Sequence, residues 1–222
     1  MPTFGFSAYL KLICLNSKPQ IREVRKRLEP DGSGYDFHKS LRALCRKYIL
    51  NKEDILELTQ SAQKIVQAPE RNSALYGLRN LANWRAENPG TVVEFEPATF
   101  QSPADIFSVR FVPDFGIEIG TRRTAVHIWN TKRPELERRF VYGALALFPA
   151  VYAGMAHRPD DVAVLSLRNE NLYCLSDVGD ATAFGLAVAT AIEKLFQKVA
   201  QEPHSPAHPS GPSPFAPPAP AP

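Results

Sequence analysis

The hydrophobic repeat of this chain changes once, at Gly90, from a helical period to a strand period. Before that point apolar residues recur every three to four positions. Ile21, Val24 and Leu28 predict a helix over residues 19–28, ringed by Arg22, Arg25, Lys26 and Arg27 and ended by Glu29-Pro30-Asp31-Gly32-Ser33-Gly34. Phe37, Leu41, Leu44, Cys45 and Tyr48 predict a second over residues 36–50. Asn51 is the expected N-cap of a third, with Glu53 and Asp54 in its first turn and Ile55, Leu58 and Ala62 on its buried face. Leu75, Leu78, Leu81 and Trp84 mark a fourth, from residue 69 or 72 to residue 87, closed by Asn88-Pro89-Gly90.

Beyond Gly90 the alternation is two-residue. Strands are expected over residues 91–96 and 106–112. The stretch FVPDFGIEIGTRRTAVHIWNTK, residues 111–132, then reads as a β-hairpin, because two alternating runs flank the short polar turn Gly120-Thr121-Arg122-Arg123. Pro134 suits a first helical turn, so residues 135–148 are expected to be helical, with Glu135 and Glu137 at the positive end of the helix dipole. Pro149 should kink or end that helix. Residues 162–167 and 172–175 form a second strand pair, and Asp177 or Asp180 caps a last amphipathic helix ending near Val199. The fold class is α+β, and one mixed sheet is expected over residues 91–176, flanked by helices and preceded by a helical region. The organisation expected is a helical region over residues 1–70, an α/β domain over residues 71–202 and a Pro-rich tail over residues 203–222, disordered or partly polyproline II.

Composition narrows the class further. A chain of 222 residues buries about 70% of its unfolded surface and needs no staple. Cys14, Cys45 and Cys174 are odd in number and widely spaced, which reads as small core residues in a reducing compartment. No apolar run reaches the roughly 18 residues of a membrane span, and Lys11 interrupts the apolar segment over residues 4–15 without a cleavage site after it. A cytoplasmic protein is expected. Residues 1–90 hold 15 basic against 9 acidic side chains, the remainder 11 against 14. That asymmetry suits a polyanion partner if Arg22, Arg25, Lys26, Arg42 and Arg46 share one face, and a solvated helical surface if they do not.

Pro113-Asp114 at the mouth of one strand and Asn130-Thr131-Lys132 at the exit of its neighbour, together with the order helix, strands, helix, strand, resemble the αβββαβ core and active-site hairpin of the PD-(D/E)XK nuclease superfamily. The resemblance covers about residues 72–200. It implies a phosphodiesterase site in which carboxylates hold Mg²⁺ and a lysine adds positive charge. Asp114 matches the first acid and Lys132 the lysine. Asn130 stands at the second acid's position and lacks its charge. The resemblance therefore gives Asp114, Asn130, Lys132 and Glu135 as catalytic candidates, and Asp114, Glu118 and Asn130 as metal candidates. Glu118 shares the Asp114 face through strand alternation, about 13 Å along. Glu135, Glu137 or Glu87 is a position from which a migrated carboxylate would complete the site.

Two functions follow. One is a degenerate nuclease-like protein that binds nucleic acid or another protein, with Mg²⁺ held weakly. The other is an active metal-dependent nuclease with a migrated glutamate. DNA, RNA and oligomeric state are left open. His127, on the face opposite Asn130 and Lys132, is expected to be a satisfied buried histidine, and Trp129 a core residue. His157 has no Cys or Ser partner in prospect. The chain carries no nucleotide-phosphate loop and no zinc motif.

Overall fold

The computed structural model describes residues 1–28 and 37–202. The chain opens with β1 (Thr3–Gly5), which leads directly into α1 (Phe6–Ile13) and α2 (Ser17–Leu28). Three helices follow: α3 (Lys39–Ile49), α4 (Ile55–Gln63) and α5 (Ala68–Glu87). Past Gly90 come β2 (Thr91–Val93), β3 (Ala98–Gln101), β4 (Ser108–Phe111), β5 (Phe115–Ile119) and β6 (Arg122–Trp129). Helices α6 (Arg138–Leu145) and α7 (Pro149–Tyr152) cross over to β7 (Asp161–Ser166) and β8 (Asn171–Cys174), and α8 (Thr182–Gln201) closes the described chain. The fold is α+β with two mixed sheets.

The larger sheet has the order β2-β5-β6-β7-β8. Its β5–β6 strands pair as the alternation predicts, Phe115 with Val126, but the turn is shorter than expected: Arg122 and Arg123, read as turn residues, pair with Ile119 and Glu118. Strands β6 and β7 run parallel, which requires the helical crossover that α6 and α7 supply. Both faces of this sheet are covered. Phe115, Ile117, Val126, Ile128 and Leu165 pack with Leu41, Leu58, Leu78, Leu81 and Trp84 from α3, α4 and α5. Ala125, Trp129, Val162 and Val164 join a second cluster with α1, α2, α6 and α8.

The single sheet expected over residues 91–176 is two. Strands β3 and β4 leave the larger sheet and join β1 in a three-stranded one of order β1-β4-β3, where β1 runs parallel to β4 and pairs Thr3 with Ser108. Aromatic packing explains the partnership. Phe4 meets the rings of Tyr9, Phe107 and Phe196 edge-on at 5.7–6.4 Å, contacts worth about 1 kcal/mol each beyond the area they bury. The apolar segment over residues 4–15 is thus a strand and a helix at the centre of a core. Position 70, the expected domain boundary, is crossed by the packing of both clusters: one combines residues 4–24 with 98–199, the other residues 41–62 with 74–167.

The structure corrects or narrows the expectations at four helix ends. Asn51 still completes α3, its N–H donating to the Lys47 carbonyl, and Asp54 caps α4 by accepting from the N–H groups of Leu56 and Glu57. The helix expected from residue 135 begins at Arg138, because Glu137 is still extended and only its carbonyl enters the first turn. Pro149 opens α7 after a break. At α8 it is Asp180 whose carboxylate accepts from the Thr182 N–H, while Asp177 holds the N–H of Cys174. The expected tail over residues 203–222 and the helix stop over residues 29–34 lie outside the described residues.

Candidate functional site

Asp114 sits just ahead of β5, 6% exposed, and its carboxylate is committed to β6. Oδ2 accepts from the Ile128 N–H at 2.7 Å and lies 3.3 Å from Nδ1 of His127, while the Asp114 N–H donates to the Val126 carbonyl. The sequence expectation sends Asp114 toward Asn130 and Lys132. The strand register instead aligns it with His127, because Phe115 pairs with Val126 and the residues on either side of that pair face one another.

His127 is 4% exposed, with its ring edge-on to Phe6 at 5.1 Å. Nδ1 faces Asp114 Oδ2 and, at 3.4 Å, the Val112 carbonyl; Nε2 lies 2.6 Å from Oγ of Ser7. Both neighbours of Nδ1 only accept, so Nδ1 carries the proton and Nε2 accepts from Ser7. Burial depresses the imidazole pKa below its usual 6.5, opposed by the Asp114 carboxylate and the Val112 carbonyl and reinforced by Arg42. The unfolded chain therefore takes up this proton at a higher pH than the folded one. Between pH 6.5 and the lower folded value, acidification should reduce stability by at most about 1.4 kcal/mol per pH unit. Denaturant midpoints measured from pH 7.5 to 5.5 should show this slope in wild type and a shallower one in His127→Gln; equal slopes would rule His127 out as the source.

Asn130 directly follows β6, and its side chain lies on the other side of the sheet. It is 4% exposed, and its Nδ2 donates to the carbonyl and to Oγ of Ser73 on α5, each at 3.0 Å. The carbonyl of Ser73 can only accept, so the amide cannot be turned around, and Oδ1 is buried with no hydrogen-bond partner among the described residues. Around it a polar seam joins α5 to the ends of β6 and β7. The Arg168 guanidinium donates to the Asn130 carbonyl at 2.6 and 2.8 Å, Tyr76 OH donates to the Arg168 carbonyl, and Asn80 Nδ2 donates to the Leu167 carbonyl at 2.8 Å. Ser73, Tyr76 and Asn80 stand at helical positions i, i+3 and i+7, one face of α5. Gly77 lies on the same face, where a Cβ would come within 2.8 Å of Leu41 and 3.0 Å of the Asn130 amide. The spacing of these polar residues is visible in the sequence, although their partners, some 57 to 92 positions away, are not.

Beside the seam opens a cleft of about 580 Å³ lined by Phe37, His38, Asn72, Ser73, Tyr76 and residues 130–133, with Arg168 at its wall. Lys132 and Arg133 are exposed there and have no ion-pair partner among the described residues. The Arg168 and Arg79 guanidinium groups lie 4.9 and 5.5 Å from the Tyr76 ring centre, and Phe37 meets His38 edge-on. Lys132 and Asn130 both line this cleft, while the hydrogen bonds of Asp114 lead to Val126 and Ile128.

The remaining candidates scatter. Glu118 pairs in register with Arg123 at the far end of β5, Glu135 is exposed ahead of α6, Glu137 pairs with Arg139 at 3.1 Å, and Glu87 is exposed. Among the described residues no three His, Cys, Asp or Glu side chains are placed to hold a metal ion. A Mg²⁺ site needs convergent hard oxygen donors. This set, with one carboxylate spent on a backbone N–H and an amide turned toward Ser73, does not fit the ion. The basic candidates divide as well. Arg22, Arg25 and Lys26 lie on α2, in the layer of α8, where Arg25 pairs with Glu202 at 2.6 Å and Lys26 with Glu23 at 3.9 Å. Arg42 and Arg46 lie on α3, across the larger sheet, where Arg46 is 3.8 Å from Glu94. The cysteines are free, Cys45 is buried, and among the described residues no helix is long and apolar enough to cross a membrane.

No family model and no curated protein compared with the chain matches it. Among solved structures, SSO0001 is similar at 8% identity and a TM-score of 0.31, over 84% of this chain and 85% of that one. Likeness at that level carries no argument about fold or function.

Proposed function

We propose that the chain is a PD-(D/E)XK nuclease-like protein with a degenerate site, acting in the cytoplasm, which binds nucleic acid at the cleft beside Asn130 and does not cleave it. The order α5, β2, β5, β6, α6, β7, with β6 and β7 parallel, supports the kinship. The observation that carries the degenerate reading is Asn130 itself. At the position of the second acid, an amide donates to a carbonyl that a carboxylate could not satisfy. The cleft supplies what binding a single strand requires, cations for phosphate and aromatic rings for bases: Lys132, Arg133 and Arg168 beside Phe37 and Tyr76.

Anisotropy titrations with labelled single-stranded and duplex oligonucleotides test this. The double variant Lys132→Gln/Arg133→Gln changes only exposed side chains, so it should fold normally. Its affinity should fall about tenfold at low salt, and the slope of log affinity against log salt should shrink by about 1 to 2. Affinity and slope unchanged in that variant would sink the cleft as a nucleic-acid site. Plasmid and single-strand cleavage with Mg²⁺ or Mn²⁺ should stay at background; cleavage lost in both Asp114→Ala and Glu135→Ala would establish an active nuclease instead.

A further inference from the structure

The cleft leaves one arrangement unused, on the other side of the larger sheet. Ser7 Oγ, the imidazole of His127 and the Asp114 carboxylate form a continuous chain at 2.6 and 3.3 Å. The tautomer is the one a general base requires, since Nδ1–H donates to Val112 O, with Asp114 Oδ2 3.3 Å from Nδ1, and Nε2 faces the serine hydroxyl. We propose that Ser7 is an acyl-accepting nucleophile, with His127 as its base, acting on small carboxylic esters. This rests on no part of the nucleic-acid reading.

Three further features fit the role. Ser7 is half-buried, whereas the two groups behind it are almost wholly so, the gradient a nucleophile at a surface needs. It stands in the first turn of α1, immediately after β1, where the N–H groups of Ser7 and Ala8 have no intrahelical acceptor and can receive a developing oxyanion. At Gly5, two residues earlier, a side chain would meet nothing within 4 Å, and Val112, whose carbonyl contacts His127, is 39% exposed. The open space at Gly5 leaves room for a short acyl or alkyl group beside Ser7.

The chemistry balances without a cofactor. Ser7 Oγ bonds to the acyl carbon as its proton passes to Nε2, and the carbonyl electron pair moves onto oxygen. That pair returns to expel the alkoxide, which leaves as an alcohol with the Nε2 proton. Water repeats the sequence on acyl-Ser7 and releases the carboxylic acid. Asp114 is a positioning residue in this scheme, because its carboxylate, 3.3 Å from Nδ1, stabilises the imidazolium that forms while the Val112 carbonyl holds the ring.

The test uses the full chain with a fluorophosphonate probe and p-nitrophenyl acetate. Labelling should map to Ser7 by peptide mass spectrometry. Labelling and ester hydrolysis should both vanish in Ser7→Ala, a substitution that a half-exposed helical position tolerates. His127→Gln should slow labelling at least about 100-fold, and Asp114→Asn should lower kcat with KM unchanged. Wild-type labelling and hydrolysis no greater than those of Ser7→Ala would overturn the proposal, whether or not the other two variants fold. Equal labelling rates in wild type and a folded His127→Gln would overturn it too.

Discussion

Asp114→Ala should lower the unfolding free energy by about 3 kcal/mol, the larger of the two losses expected at the hairpin. The carboxylate is buried and accepts from the Ile128 N–H at 2.7 Å, beside His127 Nδ1 at 3.3 Å. Truncation leaves the buried Ile128 N–H unsatisfied, at a cost of about 1 to 3 kcal/mol, and opens the void of the lost side chain, while His127 Nδ1–H keeps the Val112 carbonyl at 3.4 Å. Part of this is offset, because a buried carboxylate beside a neutral imidazole carries its own desolvation cost. For a domain of this size the melting temperature should fall by roughly 6–12 °C. Calorimetry and urea unfolding, with an unchanged m-value, would measure it. A loss below about 1 kcal/mol would mean that Asp114 is not the bracket between the start of β5 and the end of β6.

Restoring an acid at the degenerate position should damage the protein. In Asn130→Asp a carboxylate oxygen replaces the amide nitrogen that donates to the Ser73 carbonyl at 3.0 Å, so two acceptors face each other in a site 4% exposed. The Arg168 guanidinium, which already donates to the Asn130 carbonyl and lies 3.3 Å from Ser73 Oγ, offsets part of the charge. We expect a net loss of about 2 kcal/mol at pH 7.5. The sign of the pH dependence follows from burial, which raises a carboxylic acid's pKa. Below that pKa the protonated acid can donate to Ser73, so the loss should shrink toward pH 5. Mg²⁺ should raise the melting temperature of neither wild type nor variant, because Asp114 is turned to His127 and Ile128. A Mg²⁺-dependent rise in Asn130→Asp alone would show that the two carboxylates do converge on an ion.

The elements set by local pattern were legible in the sequence. The change of period at Gly90, the β5–β6 hairpin, the β7–β8 pair, and helices α2 to α5 and α8 each announce themselves within about twenty residues, through side-chain period, turn chemistry and caps. Errors of a few residues, such as Asn51 for Asp54, came from competing polar residues at one helix boundary, where only backbone angles decide which side chain turns back on the N–H groups. What the tertiary structure alone decided is long-range. Parallel pairing of β1 with β4 joins residues 105 apart and leaves no mark in either segment. The partners of the motif residues are hidden for the same reason. Asp114 meets His127 through strand register, Asn130 meets Ser73 across 57 positions, and Ser7 meets His127 across 120. A sequence shows which residues can donate and accept, and on which face of an element they stand. Which of them end within 3 Å of one another depends on how two layers pack against a sheet, and that is determined by the whole chain at once.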